Sequence, residues 1–236
     1  MKVKSRLFLD IAIEVGQNFE LPSEASHHIA TVLRAKIGDI IGIFNGVNGE
    51  YAAEIKACKK KSVLVYIVAK IREHLPPEDI TLFFAPLKKS PMEYLIQKGT
   101  ELGCGFFQPI ITERTIVRDI NLERLNRIAT EAAEQCHLTA LPQIKPAISL
   151  LSVLEAQRPF LFCDEYGGGE PILRILKNHS VDSILIGPEG GFTQTEHDMI
   201  KSHQACHAVS LGPRIMRAET AAISALSATV LAKDIF

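Results

Sequence analysis

The sequence predicts an α/β protein in two parts. A small β-rich domain spans residues 1–75, and residues 76–236 form a larger domain on a parallel sheet covered by helices. Three observations predict this. Residues 1–73 hold short β-branched or aromatic runs split by turn formers. Leu75-Pro76-Pro77-Glu78-Asp79 then interrupts the chain, because paired prolines end any regular element. Beyond it, strand-like and helix-like segments alternate, the pattern of a parallel sheet with helices on both faces.

In chain order, a helix is expected from near Ser23, carrying His27, His28 and Arg34. Ile40–Phe44, Tyr51–Ile55 and Ser62–Val68 read as strands, separated by Asn45-Gly46, Asn48-Gly49 and the turn at Lys59-Lys60-Lys61. Strands at this spacing suggest a small barrel. After the prolines, Ile80–Ala85 is a strand. Ser90-Pro91-Met92-Glu93 reads as a capping box opening a helix that Gly103 stops. Phe106–Ile111 is a strand and 121–135 a helix. Phe160–Cys163 and Ser183–Ile186 are short apolar runs of the buried-strand type. Thr193-Gln194-Thr195-Glu196 is a second capping box, opening a helix to about His203. A small-residue apolar helix over roughly 219–232 closes the chain, suited to a core or to a subunit interface.

Composition bounds the function. The chain has 236 residues, 47% of them apolar, which supports a packed core. Formal net charge is −1, but residues 1–75 hold 11 Lys and Arg against 8 Asp and Glu, a mildly basic face suited to RNA. Five cysteines form no CxxC pair, so reduced thiols in a cytoplasmic protein are expected. The first apolar run is broken by Asp10 and Glu14, so no signal peptide is expected, and no run is long enough for a membrane span. His203, Cys206 and His207 have a spacing that can bind zinc, but no second cluster accompanies them, so no metal is expected.

The chemistry is concentrated in two Gly/Pro loops near the C-terminus. Gly187-Pro188-Glu189-Gly190-Gly191-Phe192 and Leu211-Gly212-Pro213-Arg214-Ile215-Met216-Arg217 each follow a short apolar run and lead into a helix. Such loops lie at the carboxyl ends of strands, where ligands of α/β sheets bind. Glycine lets a ligand approach the backbone and proline stiffens the loop. Exposed backbone groups in two rigid loops suit a flat polar ring such as adenine. Taken singly, each loop reads equally well as an ordinary strand-to-helix turn.

The GPEGGF run, followed about twenty residues later by LGPRIMRAETA, resembles the signature of the bacterial 16S rRNA uridine-N3 methyltransferases of the RsmE type, in the SPOUT superfamily. His27-His28-Ile29-Ala30-Thr31-Val32-Leu33-Arg34, Gly38-Asp39, Gln97-Lys98-Gly99-Thr100-Glu101-Leu102-Gly103 and Glu131-Ala132-Ala133-Glu134-Gln135 agree, in the family's order along nearly the whole chain. The resemblance implies a PUA-like RNA-binding β-barrel, then a SPOUT domain whose C-terminal chain threads a trefoil knot. It implies S-adenosylmethionine as cofactor, 16S rRNA of the small ribosomal subunit as substrate (a uridine of the decoding region), a homodimer, a cytoplasmic location and no membrane.

It also implies roles. Arg217 would stabilise charge on the uracil or grip RNA phosphate, and Glu219 or Glu189 would take the proton; the sequence does not rank these two. Gly187, Pro188, Glu189, Gly190, Gly191, Leu211, Gly212, Ile215, Met216 and Thr220 would hold the cofactor. Arg6, His28, Arg34, Lys88, Lys89 and Arg214 would face RNA. The chain departs from the family pattern at Leu138, where an arginine is common. That departure supports an alternative, a non-catalytic RNA-binding or assembly protein of the same fold. A Rossmann-type nucleotide enzyme is disfavoured, because no GxGxxG follows the first strand.

Overall fold

The computed structural model describes residues 2–164 and 168–235. They cluster into two units: Met1–Pro76 with Ala133–Leu141, and Pro77–Ala132 with Pro142–Phe236.

The first unit contains β1 (Arg6–Phe8), β2 (Asn18–Glu20), α1 (Ser23–His27), β3 (Ile40–Phe44), β4 (Glu50–Lys59) and β5 (Ser62–Arg72). They form one sheet in the order β1-β3-β4-β5-β2, antiparallel except for β1 beside β3. Alternation sets its core: Val63, Val65 and Ile67 are fully buried while Leu64 between them is exposed. Lys59 pairs with Ser62 across a two-residue turn at Lys60-Lys61, as the lysine run suggested.

The helix expected to reach Arg34 stops short. After α1 the chain widens into a π-helical turn, His28–Val32, with Leu33 N–H donating to the His28 carbonyl at 3.1 Å. Arg34 then adopts φ 49°. Packing is the reason. Ile29 and Ala35 are both buried, yet residues six apart on an α-helix point about 120° away from each other. The wide turn and the left-handed residue bring both into the core.

Arg6 corrects a sequence expectation, since it is not a surface cation. Its Nε and Nη2 donate to the Glu50 carboxylate at 2.9 and 3.2 Å. Its remaining N–H groups donate to the carbonyls of Ala133, Glu134 and Leu138 at 2.9, 2.9 and 2.6 Å. The guanidinium also stacks 4.6 Å from the Phe44 ring. With only 6% of its surface exposed, it has no donor left for RNA phosphate.

The second unit contains β6 (Glu78–Phe84), α2 (Lys89–Glu101), β7 (Cys104–Ile111), α3 (Leu122–Cys136, whose last turn clusters with the first unit), β8 (Gln143–Ile144), β9 (Ile148–Ser149) and α4 (Leu150–Glu155). It continues with β10 (Phe160–Cys163), β11 (Glu170–Pro171), α5 (Ile172–Asn178), β12 (Ser183–Ile186), α6 (Gln194–Lys201), β13 (Cys206–Ser210) and α7 (Ala218–Ile235). The sheet order is β11-β13-β10-β12-β6-β7-β8, with β9 also on β7, and every pair is parallel.

Helices cover both faces, as alternation dictates. Leu161, Ile184 and Ile186 join α2, α5 and α7 in one apolar cluster; Phe160, Phe162 and Leu185 join α4 and α6 in another. On α7, Ala222, Ala225 and Leu226 are buried while Leu231 and Ile235 stay exposed.

Of the two capping boxes, one forms. Thr193 Oγ1 accepts from the Glu196 N–H, and the Glu196 carboxylate accepts from the Thr193 N–H at 3.0 Å. At α2 the N-cap is Lys88, with no side-chain cap. The Glu93 carboxylate is taken instead by the Arg124 fork at 2.5 and 3.0 Å, which holds it below the usual carboxylate range.

Candidate active site

The order β13-β10-β12 places β10 between two strands that follow it in the chain. Because the three run parallel, the loops that leave β10, β12 and β13 emerge at one edge, where the strand order reverses. Two neighbouring cavities open there, of about 470 and 510 Å³, a size suited to a small-molecule ligand. They share Cys163, Ile215, Met216 and Ala221.

The loop after β12 is tightly built. A Cβ on Gly187 would lie 2.7 Å from the Phe192 ring, so only glycine lets the loop fold over that ring. Gly191 N–H closes a turn on the Pro188 carbonyl at 2.9 Å. Arg114 pins the loop, donating to the Gly190 carbonyl at 3.0 Å and the Phe192 carbonyl at 3.3 Å. Phe192 packs edge-on against Phe162, at 5.6 Å between ring centres. Lys88 Nζ lies 3.8 Å from Glu189.

The loop after β13 is more open. Gly212 has φ 117°, a region closed to other residues in practice, and its N–H donates to Ser210 Oγ at 3.2 Å. A Cβ built there meets no atom within 4 Å, so the backbone faces free space at the cavity wall. Ser224 Oγ donates to Met216 Sδ at 3.7 Å, turning that side chain along α7. Ile215 is 85% exposed.

Most expected site residues meet here. Gly187, Pro188, Glu189, Gly191, Ile215, Met216, Arg217 and Glu219 line the first cavity. Leu211, Gly212 and Arg214 line the second. Gly190 contributes its carbonyl to Arg114 rather than lining either, and Thr220 is exposed on the first turn of α7, outside both. Lys89 is exposed at the start of α2, and His28 and Arg34 are exposed in the first unit. Among the described residues neither Arg217 nor Glu219 forms an ion pair.

One cluster was missed. Asp164, directly after β10, has a fully buried carboxylate 3.1 Å from both His197 Nε2 and Lys201 Nζ. His197 lines the first cavity and Asp164 the second, so the pair ties α6 to the end of β10 across the floor of both. The rule that ligands sit beyond strand ends would have flagged Asp164. Nothing local flagged His197, which stands in an ordinary helical position.

Burial pushes the Cys163 and Cys206 thiols up to about 12, the nearby Asp164 charge adding to the effect at Cys206. Both stay protonated at neutral pH, which removes them as nucleophiles. His203 accepts from the Ala205 N–H and His207 stacks on His179 at 4.5 Å, so these histidines face different neighbours. No cluster of three metal-ligating side chains occurs among the described residues, and no helix is long and apolar enough to cross a membrane.

Comparison with known proteins agrees with this geometry. Residues 74–230 match the family model of an RNA methyltransferase domain, and residues 21–68 that of an RNA methyltransferase PUA domain. The chain is 33% identical to ribosomal RNA small subunit methyltransferase E of Rickettsia conorii, over 94% of this chain and 93% of that one. It is 30% identical to the protein of that name from Bacillus subtilis, over 94% of each. Among solved structures, a methyltransferase of Legionella pneumophila in complex with its cofactor SAM superposes with a TM-score of 0.85, at 30% identity over 98% of both chains. Ribosomal RNA small subunit methyltransferase E of Neisseria gonorrhoeae, bound to S-adenosyl methionine, superposes with a TM-score of 0.83, at 28% identity over 95% of both.

Proposed function

The chain belongs to the ribosomal RNA small subunit methyltransferase E family, and from that membership we propose that it methylates N3 of a uridine in the decoding region of 16S rRNA. The observation that carries the proposal is the convergence of both Gly/Pro loops on two neighbouring cavities, the first of which also holds Arg217 and Glu219, neither in an ion pair among the described residues. S-adenosylmethionine is the cofactor. The residues present fit it: the second cavity has open space at Gly212 and a backbone free of side chain there. When bound, the cofactor supplies an activated methyl group on a sulfonium.

Uracil N3 carries a proton at neutral pH and is a poor nucleophile until that proton leaves. Glu219 is assigned as the proton acceptor, because Glu189 lies 3.8 Å from Lys88 while Glu219 forms no ion pair among the described residues. Arg217, always charged and forked, stabilises the negative charge that spreads onto the uracil oxygens. Ile215, Met216 and the backbone of Gly187, Leu211 and Gly212 would hold the cofactor there. Asp164, His197 and Lys201 hold the end of β10 against α6.

Residues 1–75 are assigned as the RNA-binding domain and residues 76–236 as the methyltransferase domain, although Pro76 and Ala133–Leu141 cluster with the first unit. A trefoil knot at the C-terminus fits the placement of β10 between β12 and β13. The exposed Leu231 and Ile235 on α7 suit a homodimer interface, and an rRNA substrate is in keeping with a cytoplasmic protein.

Mass spectrometry of 16S rRNA from cells lacking the protein is expected to show one N3-methyluridine missing, restored by the purified chain with S-adenosylmethionine. An unchanged nucleoside profile rejects the assignment. Gly212→Val is expected to weaken cofactor binding by at least about tenfold in calorimetric titration, since valine cannot hold φ 117° and its side chain enters the cavity. Wild-type affinity in that variant would place the cofactor elsewhere.

A further inference from the structure

The loop after β12 is held from outside the cavities by a segment that no sequence motif singled out. Residues 112–115, directly after β7, form a tight turn. Thr115 N–H donates to the Thr112 carbonyl at 3.2 Å, Thr112 N–H donates to Thr115 Oγ1 at 2.9 Å, and the two hydroxyls lie 2.9 Å apart. Both threonines are buried, so the turn is anchored and carries the exposed Glu113 and Arg114.

Two side chains of opposite charge join this turn to the loop, and together they fix two of its peptide planes. One nitrogen of Arg114, Nη1, donates to the carbonyls of Gly190 and Phe192 at 3.0 and 3.3 Å. In the first of these peptides the Gly191 N–H donates to the Pro188 carbonyl at 2.9 Å. In the second, the Thr193 N–H donates to the Glu196 carboxylate at 3.0 Å. The other oxygen of that carboxylate accepts from the Glu113 N–H at 2.8 Å, which closes a ring from turn to loop and back. Glu196 is 5% exposed, so its two backbone contacts lie out of water. The loop needs such fixing. Gly190 and Gly191 are adjacent, Gly191 sits at φ 68°, and glycine loses more freedom on ordering than any other residue.

We propose that Arg114 and Glu196 are positioning residues of the methyl-transfer site, which through the 112–115 turn hold the backbone of residues 190–193 in the conformation that receives the cofactor. The proposal rests on the methyltransferase reading above and deepens it with two residues that line neither cavity. Gly191 and Phe192 do line the first cavity, so the peptides that the ring fixes are also its wall. A loop already in its binding conformation keeps its ordering cost out of the cofactor's affinity. Once the brace is cut, the apparent dissociation constant rises by the inverse of the fraction of loops that stay competent. The chemical step is spared, because Arg114 acts on the loop and not on the reacting atoms.

The test uses the full chain with Arg114→Ala, and Arg114→Lys as the conservative variant. Each is titrated calorimetrically with S-adenosylmethionine, and methyl transfer to 16S rRNA is followed in single turnover at saturating cofactor. Arg114→Ala is expected to bind the cofactor on the order of tenfold more weakly, while its rate at saturation falls by less than about threefold. Its melting temperature stays at the wild-type value, since the side chain is exposed. Arg114→Lys recovers part of the affinity, because a single nitrogen makes both carbonyl bonds. Wild-type cofactor affinity in Arg114→Ala, with methylation intact, overturns the brace and leaves the methyltransferase reading standing. Unchanged cofactor affinity with weaker rRNA binding, and a salt slope flattened by about 1, overturns it in favour of a phosphate contact. A lowered melting temperature in both variants overturns it in favour of an ordinary fold contact. A wild-type chain that does not bind S-adenosylmethionine removes both readings together.

Discussion

Arg217→Ala is expected to lower the rate of methyl transfer to 16S rRNA by about 10²–10³, the usual cost of deleting one donor aimed at developing charge. Cofactor affinity is expected to change by less than about threefold, within a fraction of a kcal/mol. The two effects separate because of where the side chain sits. Arg217 lines the first cavity with Glu219, forms no ion pair among the described residues, and is exposed. Its removal therefore leaves no carboxylate stranded and no fold contact broken. Single-turnover kinetics with labelled cofactor, beside a calorimetric titration, give both numbers. Arg217→Lys tests the fork: a lysine keeps the charge but cannot bond in two directions, so it recovers only part of the rate. Near-wild-type turnover in Arg217→Ala would assign the charge stabilisation to another residue.

Arg6→Met carries the largest expected loss of stability, about 3–5 kcal/mol, because breaking a buried pair strands the remaining charge. That corresponds to a fall in melting temperature of roughly 10 °C. Among the described residues Glu50 then keeps only the partly exposed Arg72, at 3.4 Å, and this draws the expectation toward the lower end. The Glu134 carbonyl, near the end of α3, loses the Arg6 donor as well. Adding Glu50→Leu removes the stranded carboxylate and is expected to restore part of the loss, though not the part due to the carbonyls. Thermal melts of the single and double variants check this. A double variant no more stable than Arg6→Met would mean that the carbonyls, and not Glu50, dominate.

These two arginines show what a sequence can and cannot say. The place of Arg217 at the cavity was legible because its neighbours are local: a glycine and a proline make the loop, and the loop leads straight into α7. Thr193 and Glu196 were legible for the same reason, since a capping box closes within three residues. Ser90 and Glu93 carry the same local pattern and fail to cap α2, because Arg124, 31 residues away, takes the glutamate. The helix expected to reach Arg34 fails likewise, because the core must hold both Ile29 and Ala35.

Taken alone, the sequence determined the two-part architecture, the strands that meet the site, both Gly/Pro loops and the family. Those depend on periodicity, turn chemistry and short motifs, which act over a few residues. Only the tertiary structure decided that Arg6 is buried on a carboxylate 44 residues away, that Asp164 and His197 meet from 33 residues apart, and that Arg114 reaches the carbonyls of Gly190 and Phe192. A side chain's charge is fixed by its identity, but whether that charge faces solvent, a partner or a ligand is set by which distant segments the sheet order brings beside it.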